Sequence, residues 1–477
     1  MNTKRKTERK RGTDGKKGTE VPNLGVFPEF LASATFLTYV VILTGATLAV
    51  TRVGHACKTW PSCNGYWTPP VHDTAMTIAW GYRVLVILTG VLVVYTGYKA
   101  LRSSLPRRIK YALTVASILY PIQIGVGAAV ATGSFSGSVA ISGLHLVVAM
   151  SIFTALLLSL TWTLEAENPR SPIKMVRERK EITEGRENYG KITAYYKLMK
   201  PKLMWLLCLV AVAAIGMAAA VPGNTVTWVA VAGTLLGGVL SIGASGTFNN
   251  VLERERDAEM ARTADRPIVN NEVAVRNAVA FGLGLTVLSF AVFYIYVNLL
   301  AAILGMTAIL FYSVVYTLLL KPHTTQNIVI GGAVGALPAL IGWAAVTDSI
   351  GLPALVLGGV IFAWTPAHFY NLALAYKRDY ERGGFPMLPV VEGDDVTLRH
   401  ILFYLGATFA GASILGAVTP VGWTYVLLTT TAGAVFVYMV INLYRKRTDR
   451  AAMRSFHASN LFLGILLISV IIDTVLV

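Results

Sequence analysis

Thirteen apolar stretches run along the chain, at about 29–51, 77–99, 111–132, 139–163, 202–221, 228–252, 276–296, 299–319, 327–346, 352–376, 400–419, 424–443 and 456–476. Each is long enough to cross a hydrocarbon layer of ~30 Å. A segment inside lipid must satisfy its own backbone hydrogen bonds, so stretches of this kind fold as helices. With 55% hydrophobic and 14% charged residues over 477 positions and a mean hydropathy of +0.59, the chain is excluded from the ordinary soluble enzymes. It reads as an all-α polytopic membrane protein.

The net charge of +16 falls mainly on the N-terminal tail and on 102–110, 167–202 and 444–454. The positive-inside bias makes those segments cytoplasmic, with the N-terminus inside a multi-pass protein of the cell membrane. Anionic lipid headgroups of the bilayer, and not nucleic acid, are the expected partners of this charge. Residues 1–27 read as a basic, disordered cytoplasmic tail without the h-region of a secretory signal. A polar stretch over 166–200 reads as a cytoplasmic linker, dividing a four-helix transmembrane bundle (28–165) from a nine-helix one (201–477).

Charge placed against the end of a membrane helix is expensive, and two such clusters occur. In the first, Asn249, Glu253 and Asp257 recur at i, i+4 and i+8, which puts three oxygen-bearing side chains on one helical face. That face suits a hard divalent cation, magnesium or alternatively manganese, while Arg262 and Arg266 can grip phosphate in bidentate fashion. The second cluster runs from His368-Phe369-Tyr370 through Lys377-Arg378-Asp379-Tyr380 to Pro386-Met387-Leu388-Pro389. Four crossings separate the two, so both emerge on the cytoplasmic face and can converge over one mouth. A substrate with a diphosphate head and a long apolar tail fits that arrangement, its tail lying among helices that exclude water. Pro338, Pro366, Gly331, Gly332, Gly335 and Gly342 can bend helices around such a cavity or serve close packing.

These residues, together with Tyr312, Tyr316, Leu320-Lys321, Thr324 and Asn327-Ile328, resemble the UbiA-type intramembrane prenyltransferases over about 190–477. Within that family the resemblance is to the protoheme IX farnesyltransferases. It implies a magnesium-dependent transfer of farnesyl from farnesyl diphosphate to the 2-vinyl group of heme B, giving the hydroxyethylfarnesyl chain of heme O. It further implies catalytic roles for Asp257, Asp379 and Lys377, with Glu253, Asp257 and Asp379 on the metal. Substrate contacts are implied for Asn249, Asn250, Arg262, Arg266, Lys321, His368, Tyr370 and Tyr316. This chain departs from the family in having Glu253 and Glu255 where aspartates are usual, and Arg378 where a second acid is often found. The same acidic motifs would also serve a prenyltransferase acting on an aromatic quinone precursor. Against a non-enzymatic transporter, both clusters lie at one edge and no ionisable relay crosses the nine-helix part.

The first four spans resemble half of a heme A synthase, through Thr51-Arg52, Cys57, Trp60-Pro61-Ser62-Cys63-Asn64-Gly65, Gly81-Tyr82-Arg83 and Gly143-Leu144-His145. Cys57 and Cys63 share an external loop, where a disulfide persists. Tyr82 and Ala79 stand where that family has a histidine and an acid, which removes the expected heme ligand of the second helix. His145 is either a heme ligand or a bundle histidine, and Arg83 either reaches the membrane surface or contacts a propionate. The resemblance makes this half a docking or handover module, with a separate heme A synthase or terminal-oxidase assembly factors as partners.

Overall fold

The computed structural model describes residues 25–133, 139–167, 172–176 and 190–476; nearly all of the tail expected at 1–27 and about half of the linker expected at 166–200 lie outside them. The first four membrane-length helices are α1 (Phe27–Val50), α2 (Thr74–Leu101), α3 (Arg107–Ala131) and α4 (Val139–Glu167). A short α5 (Lys191–Leu198) precedes α6 (Pro201–Ala219) and α7 (Trp228–Leu252). After the surface helix α8 (Arg254–Glu259) come α9 (Val275–Tyr296), α10 (Leu299–Leu310, continued by a π-helical stretch Phe311–Leu320), α11 (Asn327–Thr347) and α12 (Leu352–Ala375). Two further surface helices, α13 (Lys377–Arg382) and α14 (Leu388–Val391), lead into α15 (Asp394–Val418), α16 (Trp423–Lys446) and α17 (Asp449–Ile471).

All thirteen expected spans are present among the described residues. The largest shifts are at α15 and α17, which start at Asp394 and Asp449, several residues before their apolar stretches. Acidic residues in a first turn complement the positive end of the helix dipole, so these helices extend past the hydrocarbon into the surface layer.

The first four helices do not stand apart from the rest. α1 and α4 pack on α15 and α16, and one hydrophobic core runs from Leu31 and Leu156 through Phe409 to Phe462 and Leu466. Tyr39 of α1 stacks on Phe409 of α15 with ring centroids 4.2 Å apart, and Phe409 meets Phe462 of α17 at 5.4 Å. Gly406 makes room for α4, since a Cβ there would lie 2.1 Å from the Leu157 side chain. α2 and α3 form the outer flank, packed on α1 and α4.

Ion pairs close one end of this assembly. Arg445 of α16 reaches Glu29 of α1 at 2.7 Å, and Arg399 of α15 reaches Glu165 of α4 at 2.6 Å. α5, α8, α13 and α14 lie at this charged end, as do the C-termini of α7 and α12. At the opposite end the Cys57–Cys63 disulfide is formed. Arg83 does not extend to the membrane surface. It is buried, donates to the carbonyls of Cys57 (2.9 Å), Thr59 (2.5 Å) and Ser62 (2.6 Å), and lies against the Trp60 ring.

Candidate active site

A cavity of about 980 Å³ runs inward from the charged end between α6, α7, α10, α11, α12 and α17. Its mouth is lined by Lys200, Asn249, Asn250, Glu253, Arg262, Arg266 and Lys321, and its depth by apolar residues such as Val210, Leu235, Ile242 and Ile341. From Asn249 down to Thr234 the α7 wall is about 22 Å long, at 1.5 Å per residue. The molecule therefore offers a charged rim above a long apolar shaft.

Two local features deliver the rim. α7 ends at Leu252, yet Glu253 N–H still donates to Asn249 O (3.0 Å) and Asp257 N–H to Glu253 O (2.8 Å). The i, i+4, i+8 face expected from the sequence therefore survives the break into α8. On the facing side, the π-helical stretch of α10 is closed by the i→i−5 bond from Lys321 N–H to Tyr316 O (2.8 Å), and the Thr317 hydroxyl donates to Tyr312 O, also at 2.8 Å. This wider turn brings Tyr312, Tyr316 and Lys321 together along the cavity, in keeping with the frequent siting of π-helical turns at functional positions. Gly331 of α11 is needed beside it, because a Cβ there would meet the Tyr316 ring at 2.6 Å.

Cations and acids alternate around the rim. Lys321 Nζ lies 2.5 Å from Glu253 Oε1, and Arg266 donates to Asp257 Oδ2. Lys200 donates to Asn249 Oδ1, whose Nδ2 in turn donates to Thr317 Oγ1 at 3.0 Å. Neither acid is solvent-exposed: Glu253 is 4% exposed and Asp257 0%. Burial pushes the Glu253 carboxyl up, but Lys321, Lys200 and Arg266 outweigh it and hold it below the usual carboxylate range. For Asp257, burial prevails against the pull of Arg266, and its pKa is raised. Burial, with Arg266 and Lys321 nearby, pushes the Lys200 ammonium down to about 7, against the opposing pull of Glu253 and Asp257.

The second cluster meets the first as expected. Asp379 Oδ2 accepts from the Arg262 backbone N–H at 3.2 Å, and Arg262 Nη2 donates to the Tyr380 hydroxyl at 3.3 Å. The contact is also aromatic. The Arg262 guanidinium lies 5.1 and 5.4 Å from the Tyr376 and Tyr380 ring centroids, while Lys321 Nζ and Arg256 sit over Phe385 at 4.4 and 4.9 Å. Rings of the second cluster thus hold cations of the first in place.

Not every expected site residue reaches the cavity. Asn249, Asn250, Glu253, Arg262, Arg266, Tyr316, Lys321 and His368 line it, whereas Asp257, Asp379, Lys377 and Tyr370 do not. Asp257 stands behind Arg266, and Asp379 behind Arg262. Lys377, expected as catalytic, instead donates to Asp394 at 2.9 Å. Tyr370, expected against substrate, is buried beside His400 and Tyr404, because two residues along a helix turn a side chain by about 200° from the His368 face. Among the described residues no three His, Cys, Asp or Glu side chains gather as a metal-binding group. Buried acceptors with no hydrogen-bond partner among those residues nevertheless remain, Asn250 Oδ1 at the rim and Asp257 Oδ1 just behind it. These are the hard oxygen donors that magnesium takes.

His368 is stacked between Trp364 and Phe456, each 4.2 Å away. Ser459 donates its hydroxyl to Phe456 O, so towards His368 it accepts, which puts the ring proton on Nδ1. In the first four helices, Tyr82 packs against Gly45 of α1, and His145 lies 3.2 Å from Gln123 Nε2 through its own Nε2. Sequence reasoning missed Lys200. Its signal was a lysine directly before Pro201 at a helix start, next to a Gly246 that lets the Leu198 and Met199 carbonyls approach to within 3.1 Å of where a Cβ would stand.

The sequence pattern described as the UbiA prenyltransferase family matches residues 209–466. The protoheme IX farnesyltransferase of Halobacterium salinarum is 51% identical, the match covering 94% of this chain and 98% of that protein. The enzyme of the same name from Haloarcula marismortui is 50% identical, also over 94% of this chain and 98% of its own length. Protoheme IX farnesyltransferase 1 of Saccharopolyspora erythraea is 44% identical over 288 residues, which are 60% of this chain and 91% of that one. The chain belongs to the UbiA prenyltransferase family, among the protoheme IX farnesyltransferases.

Proposed function

We infer that the chain joins the farnesyl group of farnesyl diphosphate to the 2-vinyl group of heme B and releases heme O. The observation that carries this reading is the cavity itself, a long apolar shaft under a rim of four cations and the buried Glu253, with Asp257 behind Arg266. The relatives' printed name supplies the heme acceptor. The allylic C–O bond breaks and its electron pair leaves with the diphosphate. The vinyl π-electrons then form the new C–C bond, and water captures the resulting cation with loss of a proton.

Each group has a part in this. Lys200, Arg262, Arg266 and Lys321 take the diphosphate oxygens, and their fixed positions stabilise charge as it develops on the leaving group. Glu253 and Asp257, with the Asn250 carbonyl, are the residues that would hold magnesium, which when bound neutralises diphosphate charge and polarises the departing oxygen. Asp379 is proposed as the support of Arg262 in place of a direct metal ligand. Lys377 and Tyr370 receive no part in the chemistry. The apolar shaft keeps bulk water from the cation.

The charged end is proposed to face the cytoplasm, since Arg107, Arg108, Lys110, Arg445 and Lys446 cluster there. The first four helices are proposed to be non-catalytic. The Saccharopolyspora relative carries the same activity in its name although the 288 matched residues are 91% of it. Heme O would then pass to a separate heme A synthase or to terminal-oxidase assembly. Membranes containing the full chain, given heme B, farnesyl diphosphate and magnesium, should yield heme O on chromatography of the extracted pigment. Unchanged heme B in that assay overturns the reading.

A further inference from the structure

Residues 172–176 form a strap whose backbone is fastened in a notch beside the charged end. Ile173 N–H donates to Asp394 Oδ2 (2.8 Å), Lys174 N–H to Arg447 O (2.7 Å) and Val176 N–H to Asp449 Oδ1 (2.9 Å), while Lys174 O accepts from Asp449 N–H (3.1 Å). The Ile173 side chain is itself buried in the main core. Asp394 divides its carboxylate between two elements, one oxygen on the strap and the other on Lys377 Nζ. Lys377 opens α13, and α13 carries Asp379 and Tyr380, two of the partners of Arg262.

A helix of six residues does not hold itself in water, because nucleation outweighs the few hydrogen bonds it gains. Its position is therefore set by its anchors. A lysine at a helix N-terminus opposes the helix dipole, so Lys377 does not stabilise α13 as a cap, whereas its bond to Asp394 ties the start of α13, which follows α12 after Tyr376 alone, to α15. Asp394, in contrast, sits in the first turn of α15, where the dipole favours a carboxylate.

We propose that Asp394 and Lys377 are positioning residues that tie the strap to the rim helix, so that Arg262 is presented to the diphosphate only while the connection from the first four helices is seated. The kinetic part rests on the prenyl-transfer reading. The mechanical part stands on the contacts alone and can be seen without any activity.

The test uses the full chain in lipid nanodiscs, comparing Lys377→Gln, Asp394→Asn and Ile173→Asp with the unaltered protein by amide hydrogen exchange and by steady-state heme O formation. All three variants should exchange faster over 377–385, with α7 unchanged. The Michaelis constant for farnesyl diphosphate should rise about three- to tenfold, the range of one modest hydrogen-bonded contact, with kcat and the heme requirement near their original values. Lys377→Arg and Asp394→Glu should restore both readouts. Unchanged exchange over 377–385 in Lys377→Gln or Ile173→Asp overturns the proposal, and so does faster exchange spread equally over α7 and α12. If the unaltered protein made no heme O, the functional reading would fall, and the exchange comparison would still decide the strap.

Discussion

Two arginines, one buried among the first four helices and one half-buried at the rim, show how a structural cation differs from one available to a substrate. Arg83 of α2 is buried under the loop that precedes its helix, with its guanidinium on four backbone carbonyls and the Trp60 ring. Neutral acceptors fixed by a disulfide give it nothing to exchange. Arg266 faces a cavity and is paired with Asp257, whose other oxygen has no partner among the described residues. A pair of that kind can open, the arginine turning to phosphate and the carboxylate to a metal, because each then finds an opposite charge and no buried ion is left uncompensated. The first four helices are built to stay as they are, and the rim is built to change partners.

The largest effect that could break this contrast is at Asp257. Asp257→Asn should lower heme O formation on the order of a hundredfold or more at matched protein level, since it removes the buried charge that pairs with Arg266 and that we propose also holds the metal. The protein should remain inserted and folded, because Asn keeps the volume and Arg266 borders the cavity. Near-normal heme O yield from this variant would remove the distinction between the two arginines.

Next in size are the cations themselves. Arg266→Ala and Lys321→Ala should each raise the Michaelis constant for the prenyl diphosphate by about ten- to a hundredfold, as expected for a charge-assisted contact of roughly 1.5–3 kcal/mol. The heme requirement should move little. Equal effects on both substrates in steady-state assays would show that the rim holds heme as well as diphosphate.

A smaller, pH-dependent effect sharpens the comparison. Lys200 faces Glu253, Asp257, Arg266 and Lys321, and its pKa is pushed down to about 7. It is therefore charged below that pH and neutral above it, and only the charged form attracts diphosphate. Bound diphosphate stabilises the ammonium and raises its pKa, so affinity should weaken as pH rises above about 7, by at most about tenfold per unit. The difference between the unaltered protein and Lys200→Met isolates this from the titration of the substrate. Parallel pH profiles for the two proteins would assign the dependence elsewhere.

What could be read in advance follows the same division. Spans and the two converging clusters were legible because apolar length and an i, i+4 spacing are local properties of the chain. The π-helical turn that aligns Tyr312, Tyr316 and Lys321 was not, since it depends on Gly331 opening a space on another helix. His368 and Tyr370 sit in one motif yet face opposite sides of α12, and only the packing of α15 and α17 decides which side is the cavity. Lys377 looked catalytic beside Asp379, and its partner Asp394 lies on α15, the next membrane helix along. Arg83 needed the folded loop to reveal four converging carbonyls.

The smallest effect on chemistry is expected where the structure is most closed. Replacing both Cys57 and Cys63 by Ser should cost about 2 kcal/mol of stability, the loop-closure contribution of so short a crosslinked segment. Arg83→Leu should add to that cost, because it leaves the carbonyls of Cys57 and Thr59 without the donor they have now. Both changes lie at the end of α2 away from its charged terminus, and a helix of 28 residues is about 42 Å long. The first four helices dock through α1 and α4, and the strap and ion pairs lie across the membrane from the disulfide. Heme O formation per folded protein should therefore stay within about twofold while thermal unfolding shifts downward, because a change of a few tenths of a kcal/mol at the rim is all that packing at this distance transmits. A large loss of prenyl transfer in the double serine variant, at full folded level, would mean that the outer loop acts on the rim and that the two parts of the molecule are not separable.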